Sequence, residues 1–290
     1  MNAPKNVLLA TDFAQASEES LNVAARLAAQ FGSEITLLNV LEPMPQWPVA
    51  IHELRETASG VLTLWTDRLA KQGVKVAASL VEVGAPADMI VQTADQIGAD
   101  LILCGAGLLS PFDRYSAGPI AMSVIEHAKQ PVLAVRPHGR PATFQKILCP
   151  VDHSAAAAEG FKTAAGLARA FSGELTILTV VPDVSTLVAA AEARQFEDAK
   201  LIYETRWREE FQAFLDKHES TLAGTRHTSE VRVGKPHQQI DAAAEAHGSD
   251  LIVVGATGRT GLARMLLGST TRRLLGGLPC SLLAVKPPAV

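Results

Sequence analysis

Residues 250–271 read Asp250-Leu-Ile-Val-Val-Gly255-Ala-Thr-Gly258-Arg-Thr-Gly-Leu-Ala-Arg-Met-Leu-Leu-Gly268-Ser-Thr-Thr271. The run from Leu251 to Val254 is short, apolar and bounded by Asp250 and Gly255, as a buried parallel strand requires. Gly268-Ser269-Thr270-Thr271, ahead of the apolar Leu274 and Leu275, is a helix-start signal. A strand that stops in glycines and re-enters a helix through Gly-Ser-Thr builds an anion cradle. Free backbone N–H groups, a helix N-terminus and two hydroxyls can converge there on one phosphate.

This strand is one of a repeated set. Asn6-Val-Leu-Leu-Ala-Thr-Asp12 aligns with Lys146-Ile-Leu-Cys-Pro-Val-Asp152, and Glu34-Ile-Thr-Leu-Leu-Asn-Val40 with Glu174-Leu-Thr-Ile-Leu-Thr-Val180, both at an offset of 140 residues. Further on the offset is 150: Val83-Gly84-Ala85-Pro86 matches Val233-Gly234-Lys235-Pro236, and Gly98-Ala-Asp-Leu-Ile102 matches Gly248-Ser-Asp-Leu-Ile252. Two copies of this length mean a duplicated domain rather than a solenoid.

Within each copy short β-rich runs alternate with stretches of helical periodicity, the pattern of an α/β parallel sheet. Strands are expected near 5–11, 34–41, 74–83, 100–104 and 131–136, and again near 145–151, 174–181, 225–233, 250–254 and 280–286. Pro86 and Pro236 are placed in first helical turns, and Gly32 and Gly173 where helices must stop. Arg136-Pro-His-Gly-Arg-Pro141 is the linker, so the domains are taken as 1–138 and 143–290.

Composition narrows the class. The 290 residues are 48% hydrophobic and 19% charged, with a formal charge of −4, which suits two folded domains and argues against nucleic-acid or membrane-surface binding. No apolar run is long enough for a membrane span. Cys104, Cys149 and Cys280 lack paired spacing and read as buried hydrophobes in a reducing compartment, so the cytoplasm is the expected location. His218, His227, His237 and His247 show no metal-ligand spacing.

In an open parallel sheet a ligand sits beyond the carboxyl ends of the strands, where strand order reverses. Pro150-Val151-Asp152-His153-Ser154 ends the first strand of the second copy, and Val254-Gly255 ends its fourth. Asp152 is thereby set opposite the glycine loop, able to accept hydrogen bonds from a ribose or an adenine amino group. Capping the helix that begins near Ala155 is its competing role.

These residues carry a resemblance that covers essentially the whole chain. It resembles the universal stress protein family, as a tandem member with two such domains, and the resemblance implies two open five-stranded, Rossmann-like sheets of the adenine nucleotide alpha hydrolase type. The family's nucleotide-binding subgroup carries Gly-two-Gly-nine-Gly-Ser/Thr after strand four, matched by Gly255, Gly258, Gly268 and Ser269. By similarity Pro150, Val151 and Asp152 flank the nucleoside, the Val180 backbone reads adenine, and Val254, Gly255, Gly258, Arg259, Gly268, Ser269 and Thr270 surround ribose and phosphates. ATP is the implied ligand, with Mg²⁺ arriving on its phosphates and Ser269. The resemblance also implies that the final strands of the copies pair with each other as an internal pseudo-dimer. A homodimer and a protein partner are left open.

The first copy departs from this pattern. Leu108 stands where the second has Gly258, and Gly118-Pro119-Ile120 replaces Gly268-Ser269-Thr270. Proline removes a backbone donor and isoleucine a hydroxyl where a phosphate needs both. One nucleotide per chain is therefore expected, in the second domain. No P-loop, Gly-x-Ser-x-Gly elbow or kinase motif occurs, so a regulatory ligand is the leading reading; a slow ATPase and a partner-binding scaffold are the alternatives. Arg259 is the phosphate candidate among the arginines, with Arg264, Arg272 and Arg273 on solvated faces. His153 is read as polar surface, and Trp47, Trp65 and Trp207 as packing or interface residues.

Overall fold

A computed structural model describes residues 3–43, 50–109, 115–137, 141–183, 193–257 and 267–287. The first half runs β1 (Asn6–Thr11), α1 (Gln15–Phe31), β2 (Glu34–Leu41), α2 (Ala50–Lys71), β3 (Val76–Val83), α3 (Pro86–Gln96), β4 (Leu101–Gly105), the two-strand pair β5 (Leu108–Leu109) and β6 (Tyr115–Ser116), α4 (Gly118–His127) and β7 (Val132–Val135). The second runs β8 (Lys146–Pro150), α5 (Ala155–Ala170), β9 (Glu174–Val181), α6 (Ala193–Lys217), α7 (Glu219–Leu222), β10 (Arg226–Val233), α8 (Pro236–His247), β11 (Leu251–Gly255), α9 (Ser269–Leu275) and β12 (Ser281–Val285). The main strands fall within a residue or two of their expected places; β5 and β6 had no sequence signal.

Strands of each half lie parallel in the orders β3-β2-β1-β4-β7 and β10-β9-β8-β11-β12. Order reverses between β1 and β4 and between β8 and β11, which opens a crevice at each of these places. The two halves join where β7 and β12 pair antiparallel, Leu282 opposite Ala134 and Leu283 opposite Leu133, so a single ten-stranded sheet crosses the molecule. Each half thus covers the other's edge strand.

Alternation along the strands supplies two apolar layers. Val7, Leu9, Ile35, Leu37, Ile147 and Ile177 face the side carrying Leu27, Leu62, Trp65, Phe161 and Phe214. Leu8, Leu38, Ile102, Leu178 and Ile252 face the side carrying Ile90, Ile125, Ile240 and Leu274. Ring contacts extend the first layer across the domain boundary: Phe31 meets Phe171 edge-on at 5.7 Å, and Phe171 meets Phe144 at 4.5 Å.

The repeated Gly-x-Asp-Leu-Ile marker has a structural task. Asp100 Oδ2 accepts from the N–H groups of Lys5 and Asn6 at 2.8 and 2.9 Å, tying the start of β1 to that of β4. Asp250 Oδ2 does the same for Gln145 N–H at 2.9 Å and also accepts from the Thr143 hydroxyl. Pro86 and Pro236 do open α3 and α8, and Gly32 caps α1. Gly173 helps to close α5, its N–H donating to the Ala168 carbonyl at 2.8 Å, but it is not the left-handed residue of that end. The helix ends at Ala170, and Ser172 takes the left-handed turn with φ 53°. Gly173 also serves close approach: a Cβ there would lie 2.3 Å from the Phe144 carbonyl oxygen.

Candidate functional site

The second-domain crevice is built from the ends of β8, β9 and β11 and the start of α9. Beyond Pro150 the chain turns through Val151, Asp152 and His153, with His153 in the left-handed region at φ 64°. Asp152 is not the helix cap. Ser154 occupies that position and its hydroxyl accepts from Ala157 N–H at 3.1 Å. One Asp152 oxygen accepts from Ser154 N–H at 3.1 Å, which fixes the carboxylate at the turn.

The direction of the Val180 backbone groups follows from strand parity. Val151 N–H donates to the Leu178 carbonyl on one side of β9, and Gly234 N–H to the Val181 carbonyl on the other. Backbone groups alternate along a strand, so Val180 turns its N–H and C=O toward the β8 side. The last β8 pair there is Pro150 with Leu178, so Val180 lies past the strand that would have used them. Such a donor and acceptor side by side match one edge of a planar heterocycle.

Val254 and Gly255 end β11. Gly255 is held tightly by α5, since a Cβ on it would lie 2.6 Å from the Ala156 carbonyl carbon. Its own carbonyl accepts from the Thr271 hydroxyl at 3.2 Å, which joins the strand end to α9. Gly268 N–H donates to the Ala256 carbonyl at 2.9 Å, closing the loop at its base, and Ser269 and Thr270 form the first turn of α9. Its cap residue, Gly268, brings no side chain to that turn. Gly258 and Arg259, together with Thr260 and Arg264, lie outside the described residues. The structure therefore brings Pro150, Val151, Asp152, Val180, Val254, Gly255, Gly268, Ser269 and Thr270 to one end of the sheet.

The first-domain crevice keeps one end of this arrangement and loses the other. Gly84 N–H donates to the Leu41 carbonyl, so the same parity turns Val40 toward the β1 side. Asp12 Oδ1 accepts from Ala14 N–H and from the Ser17 hydroxyl, at 2.9 and 2.8 Å. At the last helix start, Gly118 enters α4 at φ 74°, whereas Gly268 enters α9 at φ −59°. Pro119 sits in the first turn, and Ile120 is half exposed. The preceding segment is committed to the other domain: Ala117 N–H donates to the Leu275 carbonyl, and Leu278 N–H to the Tyr115 carbonyl, at 2.9 and 2.7 Å.

Other residues differ from their sequence reading. His153 is no surface group: its side chain is 12% exposed and packs among Trp207, Phe211 and Phe214. Only its counterpart Phe13, at the same register of the repeat, hinted at this. Trp65 and Trp207 are buried as packing residues, while Trp47 lies outside the described residues. Trp207 also donates a hydrogen bond to Thr179. Arg272 pairs with Glu126 across the domain boundary. The cysteines are free and buried, and burial pushes the Cys104 thiol up to about 12.

A switch-point crevice of this kind, duplicated in one continuous sheet, defines a tandem, doubly wound α/β protein. The universal stress protein family profile matches residues 4–136 and again 143–286. A universal stress protein of Methanocaldococcus jannaschii is 37% identical over 147 residues, half of this chain and 84% of that protein. A putative one from Staphylococcus aureus is 29% identical over 148 residues, 49% of this chain and 89% of that protein. The crystal structure of a universal stress protein from Archaeoglobus fulgidus superposes with a TM-score of 0.71, at 22% identity and 98% coverage of both chains. The chain belongs to the universal stress protein family, as a member with two such domains in tandem.

Proposed function

We propose that this protein is an ATP-binding member of the stress response that holds one nucleotide, as a regulatory ligand, in its second domain. The observation that carries this reading is the asymmetry between the two crevices. Both turn a valine backbone pair toward the base position, but only the second has a hydroxyl-bearing helix start entered through extended backbone. The donor set fits the ligand's chemistry: a carboxylate at Asp152 for ribose or adenine, the Val180 backbone for the base edge, and first-turn groups of α9 for phosphates. Gly255, Gly268, Ser269 and Thr270 line the phosphate end in this reading, with Gly258 and Arg259 supplied by the adjoining loop. Mg²⁺ would be held by phosphate oxygens, water and the Ser269 hydroxyl. The domain limits 1–138 and 143–290, a cytoplasmic setting, and a protein partner that reads the nucleotide state belong to the same proposal.

Calorimetry with MgATP on the full chain tests it. One equivalent per chain is expected. Gly268→Val keeps an allowed backbone conformation, since φ −59° and ψ 143° suit any L-residue, yet fills the phosphate end. Loss of one or two charge-assisted hydrogen bonds, each about 1.5–3 kcal/mol, should weaken ATP by roughly tenfold or more. Asp12→Asn, in the first crevice, should leave affinity unchanged. Two equivalents per chain, or none, would refute the one-site reading. Multiple turnovers lost in Gly268→Val would make the protein an enzyme.

A further inference from the structure

A buried relay runs from α6 to the loop that carries Asp152. Trp207 Nε1 donates to Thr179 Oγ1 at 2.9 Å, and that hydroxyl donates to the Val151 carbonyl at 3.1 Å. Trp207 is 7% exposed and Thr179 fully buried, so no bulk water competes for these bonds. On the other side of Asp152, the His153 ring lies 5.5 Å from the ring centre of Trp207, 6.2 Å from Phe211 and 6.0 Å from Phe214. All three aromatic residues belong to α6. Both chain neighbours of Asp152 are therefore held by one helix, Val151 through hydrogen bonds and His153 through ring packing.

The first domain shares the ring contact but fastens its loop with a single direct hydrogen bond. Asn39 Nδ2 donates directly to the Thr11 carbonyl at 2.8 Å, and Phe13 meets Trp65 edge-on at 5.7 Å. The three-member chain from indole to hydroxyl to carbonyl is found in the half whose last helix starts with Ser269 and Thr270.

We propose that Trp207 is a positioning residue of the second-domain crevice: through Thr179 and Val151, and against His153, it sets where the Asp152 carboxylate stands and so sets nucleotide affinity. This rests on the nucleotide reading above. A carboxylate contributes to binding only if it meets its donor at hydrogen-bond distance, so a loop displaced by an ångström loses most of that contribution. Removing the indole N–H takes away the group that holds the Thr179 oxygen and polarises its O–H, which weakens the bond to Val151. The affinity effect thus comes from a side chain that is part of neither the crevice wall nor the ligand's contacts.

Two substitutions that preserve shape test the relay in the full chain. Trp207→Phe keeps an aromatic ring and deletes the donor; Thr179→Val keeps the branch and deletes the middle link. Backbone amide exchange at residues 151–157 and MgATP affinity are measured together. Each variant should raise exchange at Val151–Ser154 several-fold, with β9 and β11 unchanged, and weaken ATP by about five- to tenfold. The double variant should be no worse than either single one, because one chain of bonds is broken in every case. Trp65→Phe should leave both readouts at their wild-type values. Wild-type exchange in the loop, wild-type affinity, or faster exchange throughout the domain would each overturn the positioning role. If the wild-type chain binds no adenine nucleotide, the functional reading falls, and the exchange measurement still decides whether Trp207 positions the loop.

Discussion

Gly173 shows how much a single residue's role depends on neighbours far away in sequence. The backbone of Phe144 and Gln145 occupies the place where a side chain would stand, with the nearest atom 2.3 Å from an ideal Cβ. Backbone cannot rotate aside as a flexible side chain can. Gly173→Ala should therefore destabilise the second domain by about 2–4 kcal/mol, read as a fall in thermal midpoint. A variant melting within a degree of wild type would show that β8 yields easily. Sequence supplied only half the reason for a glycine here, because a helix stop and a close approach leave the same letter. The same limit applies to His153, whose aromatic neighbours on α6, Trp207, Phe211 and Phe214, lie more than 50 residues downstream. Asp152 was legible as a crevice residue because the repeat sets it at a strand end, but its cap role passed to Ser154, two positions on.

At the scale of elements, the apolar alternation of the strands and the prolines of α3 and α8 were legible because local chemistry alone determines them. Strands β5 and β6 were not, since their pairing depends on a loop folding back. The α8 start shows a further effect of bringing elements together. Burial pushes the His237 imidazole below the ordinary histidine range, helped by the cations of Arg273 on α9 and Lys235 at the α8 cap. The domain-one counterparts, Ala85, Ala87 and Ser123, carry no charge. With the folded value lower than the unfolded one, the unfolded chain binds more protons through the mildly acidic range. His237 thus favours folding fully above its unfolded value, and this is lost as pH falls through the folded one. NMR titration should place His237 below an ordinary histidine, and Arg273→Gln should move it upward. A titration unmoved by that substitution would remove α9 from the cause.

At the scale of the molecule, the repeat announced two domains, but their union is written in pairings no local pattern encodes. Arg136 follows β7 and donates to the Pro279 carbonyl of the other half; Lys286 follows β12 and donates to the Glu126 and Ala128 carbonyls. The two cations stand 150 residues apart, at matching points of the repeat, so the clamp is reciprocal. Arg26 adds a bond to the Ala142 carbonyl at 2.5 Å. Ahead of α4, Tyr115 and Ala117 are bonded to Leu278 and Leu275 of the other half, which ties the start of that helix to the seam. A protease site built between Pro137 and Pro141 probes the union. The cut halves should co-elute as one particle, because the sheet and the Phe31–Phe171 contact persist without the peptide link. Arg136→Met with Lys286→Met should then dissociate the cut protein at concentrations where the uncut variant stays whole. A covalent link holds the partners at an effective concentration in the millimolar range, which masks a weakened interface until it is severed. Halves that separate without those substitutions would mean that the linker, not the β7–β12 seam, holds the domains together.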